Sequence, residues 1–462
     1  MTHTHIESVS DDPTAADLDP DREYVLVTEY FAPDTASTGV LMTDLAVGLR
    51  RRGLDLSVLT SQPNYHSGEN ERQPRQSVHE GVPVRRIRAP QLRQSSLPRR
   101  LFNWTVFTLV AALTLLVSSP SGGRDRELLF VSNPPFLPPA MWFVARLRGW
   151  DYTYVVYDLY PDNMVELGFL RRGGLVVRVW SWVHRRVFRA ARAVVALGPV
   201  MRDRIARVSG PGFDAGRVAI VHNWQDGSFV VPRDKAENWF SAEHGVVDRF
   251  TLVYSGNIGT FHDLDTLVEA AARVDDPDVH FLVIGEGDNR RHVRGLADEL
   301  GLVPERVTFL PYQDWEDLPY SLTAGDVMVV TVQEGFEGLC VSSKLYTAMA
   351  TGRPVLCIAQ PDSDEARIVE GFDAGRQVAQ GDTEALVAAI DRWRSDPAYY
   401  RRQAANARRA FDAHFTRDEA IDAYYALLTR GPAAVSDVRV AEADDTVDTS
   451  GRTDSEAATA DD

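Results

Sequence analysis

Lysine is almost absent from this chain of 462 residues: Lys235 and Lys344 are the only two, and arginine supplies the rest of the 49 basic residues. Cysteine is as scarce, with Cys340 and Cys357 alone. Two cysteines build no disulfide framework, and neither stands in a metal-ligand pair. A stapled secreted fold is therefore excluded, and a reducing cytoplasm is the simpler setting. The N-terminal stretch MTHTHIESVSDDPTAADLDPDRE has no signal-peptide apolar run. No G-x-x-x-x-G-K-[ST] occurs, which counts against a P-loop kinase.

Acid is abundant. The formal net charge is -17, with 43 Asp against 23 Glu. A high-salt cytoplasm, where a carboxylate surface keeps a protein soluble, accounts for this halophile-like balance. So does a GC-rich genome that prefers arginine codons. The total hides a division. Residues 22–235 hold 29 basic and 18 acidic residues, net +11, whereas residues 236–430 hold 18 basic and 33 acidic, net -15. A basic half inside an acidic protein calls for an anionic partner.

Between polar ends, strand and helix patterns alternate. YVLVTEYF (24–31), LDLSVLTS, ELLFVS, YTYVVYDL, AVVALG and RVAIVHN read as strands, and GVLMTDLAVGLRRRG (39–53) as a helix stopped by Gly53. The series restarts after about residue 250 with FTLVYSGNIG, VHFLVIGEG, RVTFLP, DVMVVTVQ and PVLCIA. Apolar strands alternating with helices imply parallel sheets covered on both faces. The expectation is an α/β protein of two Rossmann-like domains, 22–235 and 236–430, between disordered acidic tails at 1–21 and 431–462. In such sheets ligands bind beyond the carboxyl ends of the strands, here in the cleft between the domains.

Lys344 opens KLYTAMATG, which reads as a helix with Ser342 or Ser343 as N-cap and Gly352 and Pro354 as its stop. A cation in a first turn opposes the helix dipole, a mismatch that points to an anion such as phosphate at the site. The alternative is an exposed lysine whose stem covers apolar surface. YSGNIGTFHD (254–263) and VIGEGDNRR (283–291) each follow a strand with closely spaced glycines, which let backbone N–H groups approach a ligand. Neither extends to G-x-G-x-x-G, so a dinucleotide fingerprint is missing.

These motifs in order, together with EYFAPDTASTG, SNPPFLPPAMWFVARLRG, YDLYPDNMVELG, HNWQD and GFEGLCVSSKLYTAMATGRPVL, resemble the GT-B family 4 glycosyltransferases, in the branch of O-antigen and capsule-type polysaccharide assembly. The similarity covers about residues 24 to 428. It implies a nucleotide-sugar donor held mainly by the C-terminal domain, an acceptor on the N-terminal domain, retention of anomeric configuration, no cofactor and no essential metal. It carries over donor-binding roles to Gly39, Asn257, Gly259, Gly285, Gly287, Gly338, Ser343 and Tyr346, with Glu337 on sugar hydroxyls and Lys344 beside the diphosphate. The chain departs from the family pattern in places. Thr347 and Leu339 fall where relatives carry two glutamates, Glu337 standing in for the first. Asn257 and His262 fall near an expected Arg and Lys, Ser342 near a Pro, and Tyr157 where a histidine precedes Asp158. Asp158, at the end of YTYVVYDL, is the candidate for touching acceptor or donor sugar; a turn or capping role is the alternative.

Two stretches, 81–124 and 167–202, hold no acidic residue. The first carries Arg85, Arg86, Arg88, Arg93, Arg99, Arg100 and Arg124 around the apolar run LFNWTVFTLVAALTLLV (101–117). The second carries eight arginines beside Trp180, Trp182 and Phe188. Basic residues among aromatics suit an anionic membrane surface. The expectation is a peripheral protein on the inner face of the cell membrane, with a lipid-linked, polyprenyl phosphate- or diphosphate-borne glycan acceptor. A buried crossover helix is the alternative for 101–117. No nucleic-acid recognition motif accompanies the arginines. A UDP-sugar epimerase on the same scaffold and a non-catalytic nucleotide-sugar binding protein are the competing functions.

Overall fold

The computed structural model describes residues 19–34, 36–63, 72–88, 92 and 97–438. Most of both acidic tails, and Arg93, lie outside the described residues.

The first series runs β1 (Arg22–Val27), α1 (Ser37–Arg51), β2 (Leu56–Thr60), β3 (Gln76–His79), β4 (Val82–Arg86), α2 (Leu97–Val117), β5 (Asp125–Val131), α3 (Leu137–Arg148), β6 (Asp151–Val155), α4 (Asp162–Glu166), α5 (Leu175–Ala190), β7 (Ala193–Ala196), α6 (Pro199–Ser209) and β8 (Val218–Ile220). The second runs α7 (Trp239–Glu243), β9 (Phe250–Ser255), α8 (Asp265–Arg273), β10 (Val279–Ile284), α9 (Arg290–Glu299), β11 (Val307–Leu310), α10 (Leu318–Leu322), β12 (Val327–Thr331), α11 (Lys344–Ala350), β13 (Val355–Ile358), α12 (Asp364–Gly371), β14 (Gly375–Val378), α13 (Thr383–Ser395), α14 (Pro397–His414) and α15 (Arg417–Arg430).

The first sheet has the order β3-β4-β2-β1-β5-β6-β7-β8 and the second β11-β10-β9-β12-β13-β14. Central strands such as β1 and β10 are buried along almost all of their length and mostly apolar, because helices cover both faces. Every pairing is parallel except β3 on β4. The expected two parallel-sheet domains are there, and the antiparallel edge strand is an addition the sequence did not show. SVHEGVPVRR turns back through Glu80 and Gly81, both at positive φ, and the short polar alternation hid the hairpin. Strand β14, GRQV, was equally hidden by its polar residues.

One buried apolar cluster runs from the first sheet through α15, α14 and α11 to one face of the second sheet; another fills that sheet's far face with α8, α9 and α13. The terminal helix α15 packs on α1, where a Cβ on Gly48 would meet Ile421 at 2.3 Å. The Tyr24 hydroxyl also donates to the Leu428 carbonyl at 3.3 Å.

Helix α2 extends beyond the apolar run read from the sequence, to 21 residues. It is the crossover between β4 and β5. It buries Phe107, Ala111 and Leu115 and leaves Phe102, Leu109, Leu113 and Val117 exposed. Its segment Pro98–Val117 is long and apolar enough to cross a membrane by length and composition.

Candidate active site

A cavity of about 1010 Å³ separates the two sheets. Asn133 and Asp158 enter it just past β5 and β6; Phe261, His262, Asn289 and Gln333 enter it just past β9, β10 and β12. The carboxyl ends of both sheets thus line one cleft.

Beside it stands Lys344, the first residue of α11. Its ammonium donates to His262 Nε2 at 2.9 Å and lies 5.7 Å from the Tyr254 ring. His262 Nδ1 sits 2.9 Å from the Thr331 carbonyl, which fixes the proton on Nδ1 and leaves Nε2 as acceptor. Burial, and then the neighbouring ammonium, hold His262 down to about 3, so it is neutral and offers Lys344 a lone pair but no charge. Burial brings Lys344 itself down to about 8. The other lysine makes the contrast. Lys235 is the more deeply buried, but its ammonium is 2.6 Å from the Asp326 carboxylate. Among the described residues Lys344 makes no ion pair. A half-buried cation beside a cleft, without a counter-ion among the described residues, is a place for an anion.

The glycine loops are packed against one another and against this lysine. A Cβ on Gly285 would fall 1.9 Å from the Gly256 carbonyl oxygen, and one on Gly256 would fall 2.3 Å from Lys344 Cε. Gly287 is pressed on the Ile258 carbonyl oxygen at 2.2 Å in the same sense. These glycines are required by contact of loop with loop, a demand the sequence did not show. Asn257 and Gly259 follow Gly256 in the same loop, Asn257 exposed and Gly259 buried. Gly39 faces the β1–α1 turn, its Cβ position 3.1 Å from Tyr30 Cβ.

Asp158 and the segment before Lys344 meet across the domain boundary. Asp158 forms a backbone bridge with Cys340, and the Leu159 N–H donates to the Leu339 carbonyl at 2.8 Å. The Asp158 N–H donates to Ser132 Oγ at 2.9 Å, and its carboxylate accepts from Asn163 Nδ2 at 3.0 Å. Burial pushes that carboxyl up to about 6. Glu337 turns back on its own loop, accepting from the Gly335 N–H at 3.1 Å, while its carbonyl accepts from Arg204 at 2.8 Å. A Cβ on Gly338 would meet Val200 at 3.0 Å, at the start of α6.

Some expectations need revision. Ser343 stands at the cap position of α11 in helical conformation and makes no side-chain cap bond, and the buried Ser342 hydroxyl has no partner either. The expected serine cap is not formed, because Ser343 is already helical and a capping serine needs an extended backbone; the Ser342 N–H donates to Glu365 at 2.7 Å. Tyr346, on α11, is fully buried, its hydroxyl 3.4 Å from His222 Nδ1, and is not among the residues lining the cavity. Thr347 is held by Gln225 Nε2 at 3.1 Å, so HNWQD braces the position where relatives carry a glutamate.

Sequence reasoning missed Gly256, and it missed Asp364 and Glu365. Asp364 accepts from the N–H groups of Val200 and Met201 at 2.8 and 3.1 Å, capping α6 from the other domain. Burial pushes Asp364 up to about 6 and Glu365 up to about 7. Among the described residues no group of three or more His, Cys, Asp or Glu is placed to hold a metal ion.

Two parallel-sheet domains facing across a cleft, with a half-buried ammonium beside it that makes no ion pair among the described residues, define a class: two-domain α/β proteins with a site between their sheets suited to an anionic ligand. Comparison with known proteins narrows it. Residues 38–224 match the glycosyl transferase 4-like domain and residues 235–410 match glycosyl transferases group 1. The chain belongs to family 4 of the GT-B glycosyltransferases and is a transferase. WbjE of Pseudomonas aeruginosa, named as a glycosyltransferase, is 25% identical over 272 residues, 58% of this chain and 66% of that protein, just under two thirds of its length. WcaI of Escherichia coli (strain K12), named as a colanic acid biosynthesis glycosyl transferase, is 25% identical over 369 residues, 78% of this chain and 89% of that one. The structure of Anabaena Alr3699/HepE in complex with UDP-glucose superposes with a TM-score of 0.65 at 16% identity, covering 88% of this chain and 99% of that one.

Proposed function

We propose that this chain is a retaining, metal-independent glycosyltransferase that moves a sugar from a nucleoside diphosphate sugar to a glycan on a polyprenyl phosphate or diphosphate. Its setting is surface polysaccharide or glycoprotein glycan assembly, at the cytoplasmic face of the membrane. Lys344 carries the reading: a half-buried ammonium whose close partner among the described residues is a neutral imidazole wants a diphosphate. WcaI's name favours polysaccharide assembly, and the UDP-glucose bound to HepE favours a uridine donor.

In the reaction, the bond from the anomeric carbon to the diphosphate oxygen breaks with its electron pair on the diphosphate. The acceptor hydroxyl bonds to the carbon on the same face and passes its proton to the departing oxygen. Lys344 and the N–H groups of the adjoining loops offset the developing charge. A preorganised donor of this kind is worth about 3 kcal/mol. Asp158 and Glu337 hold sugar hydroxyls.

Calorimetry with UDP-, GDP- and dTDP-sugars tests the reading: one should bind, and its turnover should persist in EDTA. If none associates, the donor reading is wrong; if EDTA stops turnover, metal independence is.

A further inference from the structure

Helices α2, α3 and α5 lie side by side on the first sheet, α3 in the middle. Each buries one stripe and turns an apolar stripe outward. On α2 the outward residues are Phe102, Leu109, Leu113 and Val117, the last 81% exposed; on α3 they are Phe143 and Leu147; on α5, Val179 and Trp182. Arginines rim the face. Arg146, Arg171 and Arg178 are exposed and make no ion pair among the described residues, and Arg186 stacks on Trp182 with its guanidinium 3.4 Å from the ring centroid. The acidic terminal tails lack an apolar run to cover these helices, so an anionic lipid leaflet is the occupant whose chemistry fits.

The face has a direction. All three helices start at the carboxyl ends of the strands, so their N-termini lie at the cleft. The same elements wall the cavity: Arg100 and Trp104 from the first turns of α2, and Leu167 and Phe169 from the turn into α5, with Phe169 54% exposed. From Phe102 to Val117 the outward stripe of α2 runs roughly 22 Å away from that rim.

We infer that the α2–α3–α5 face lies on an anionic leaflet and that its cleft-side edge, Arg100, Trp104, Leu167 and Phe169, is the port through which a lipid-borne acceptor presents its phosphate head while its tail stays among the lipids. The inference rests on the cleft being a glycosyl-transfer site.

Co-sedimentation of the full chain with vesicles of phosphatidylglycerol and phosphatidylcholine tests the face. The native chain should bind, and L109E/L113E, altered at exposed positions, should bind about tenfold less with its melting temperature and nucleoside diphosphate affinity retained. Vesicle binding by L109E/L113E equal to the native chain's overturns the docking face. Vesicles doped with a polyprenyl phosphate test the port. The dopant should strengthen binding of the native chain, and R100E/F169E should lose that increment. An increment that survives in R100E/F169E overturns the port. Failure of the donor reading would show separately, as a native chain that sediments with vesicles but binds no nucleoside diphosphate.

Discussion

Replacing Lys344 by methionine should stabilise the protein while crippling it. Burial lowers the ammonium from its ordinary 10.5 to about 8. That fall represents roughly 3 kcal/mol of disfavoured charge. Methionine fills the same space without the charge but leaves His262 Nε2 without its donor, which costs about 1 kcal/mol. K344M should therefore gain about 1–2 kcal/mol at pH 7 by denaturant unfolding. The pH dependence follows in sign. Below pH 8 the folded and unfolded chains both hold the proton and the penalty is complete. Between about 8 and 10.5 the folded chain releases its proton first, so the native protein's stability rises relative to K344M; above that the charge penalty is gone and K344M should be the less stable by the lost hydrogen bond, about 1 kcal/mol.

Binding reverses the argument. A diphosphate beside the ammonium restores its affinity for the proton, so at pH 8.5 donor binding should take up ~0.7 proton. Calorimetry in buffers of differing ionisation enthalpy measures this directly, and K344M should show none of it. Losing the charge should weaken nucleoside diphosphate binding about 100-fold. Equal affinity in the two proteins, or binding without proton uptake in the native one, would refute the assignment of the phosphate to Lys344.

Two further substitutions probe what surrounds it. His262→Phe removes the acceptor that aims the ammonium and should weaken the donor about tenfold, while His262→Gln, which can accept at the same place, should stay within about threefold; identical calorimetric affinities for both would show that His262 only fills space. Asp364→Ala removes both acceptors at the start of α6 and so loosens the contact between domains. The expected result is a larger radius of gyration by small-angle scattering without ligand and a donor KM raised several-fold with kcat changed less, whereas an unaltered scattering profile would assign the domain contact to other residues.

The alternating apolar runs made the two sheets legible, because buried parallel strands need side chains that are apolar on both faces. What escaped was polar or local. Strands β3 and β14 lie at sheet edges, where SVHE- and GRQV-type sequences satisfy one neighbour and solvent. The site was legible as a set of loops, since each motif lies in the chain beside a strand that announces it. Their mutual fit was not. Gly256, Gly285 and Lys344 are separated in the chain, and only folding brings them within contact, so the glycine spacing did not show that the loops pack on one another.

Lys344 illustrates how a sound suspicion can rest on the wrong force. The sequence argument was the helix dipole: a cation in a first turn faces unfavourable partial charge. Yet α11 has only seven residues and its cap position is already helical, so the dipole is weak there. The mismatch comes instead from desolvation, which no local pattern reveals because Tyr254, Gly256 and His262 create it from another loop. The two forces make different demands. A dipole conflict would be eased by moving the lysine one turn along. A desolvated cation is relieved only by deprotonation, by removal or by an anion delivered to the cleft. The last of these lets the protein keep the charge ready for a developing diphosphate leaving group.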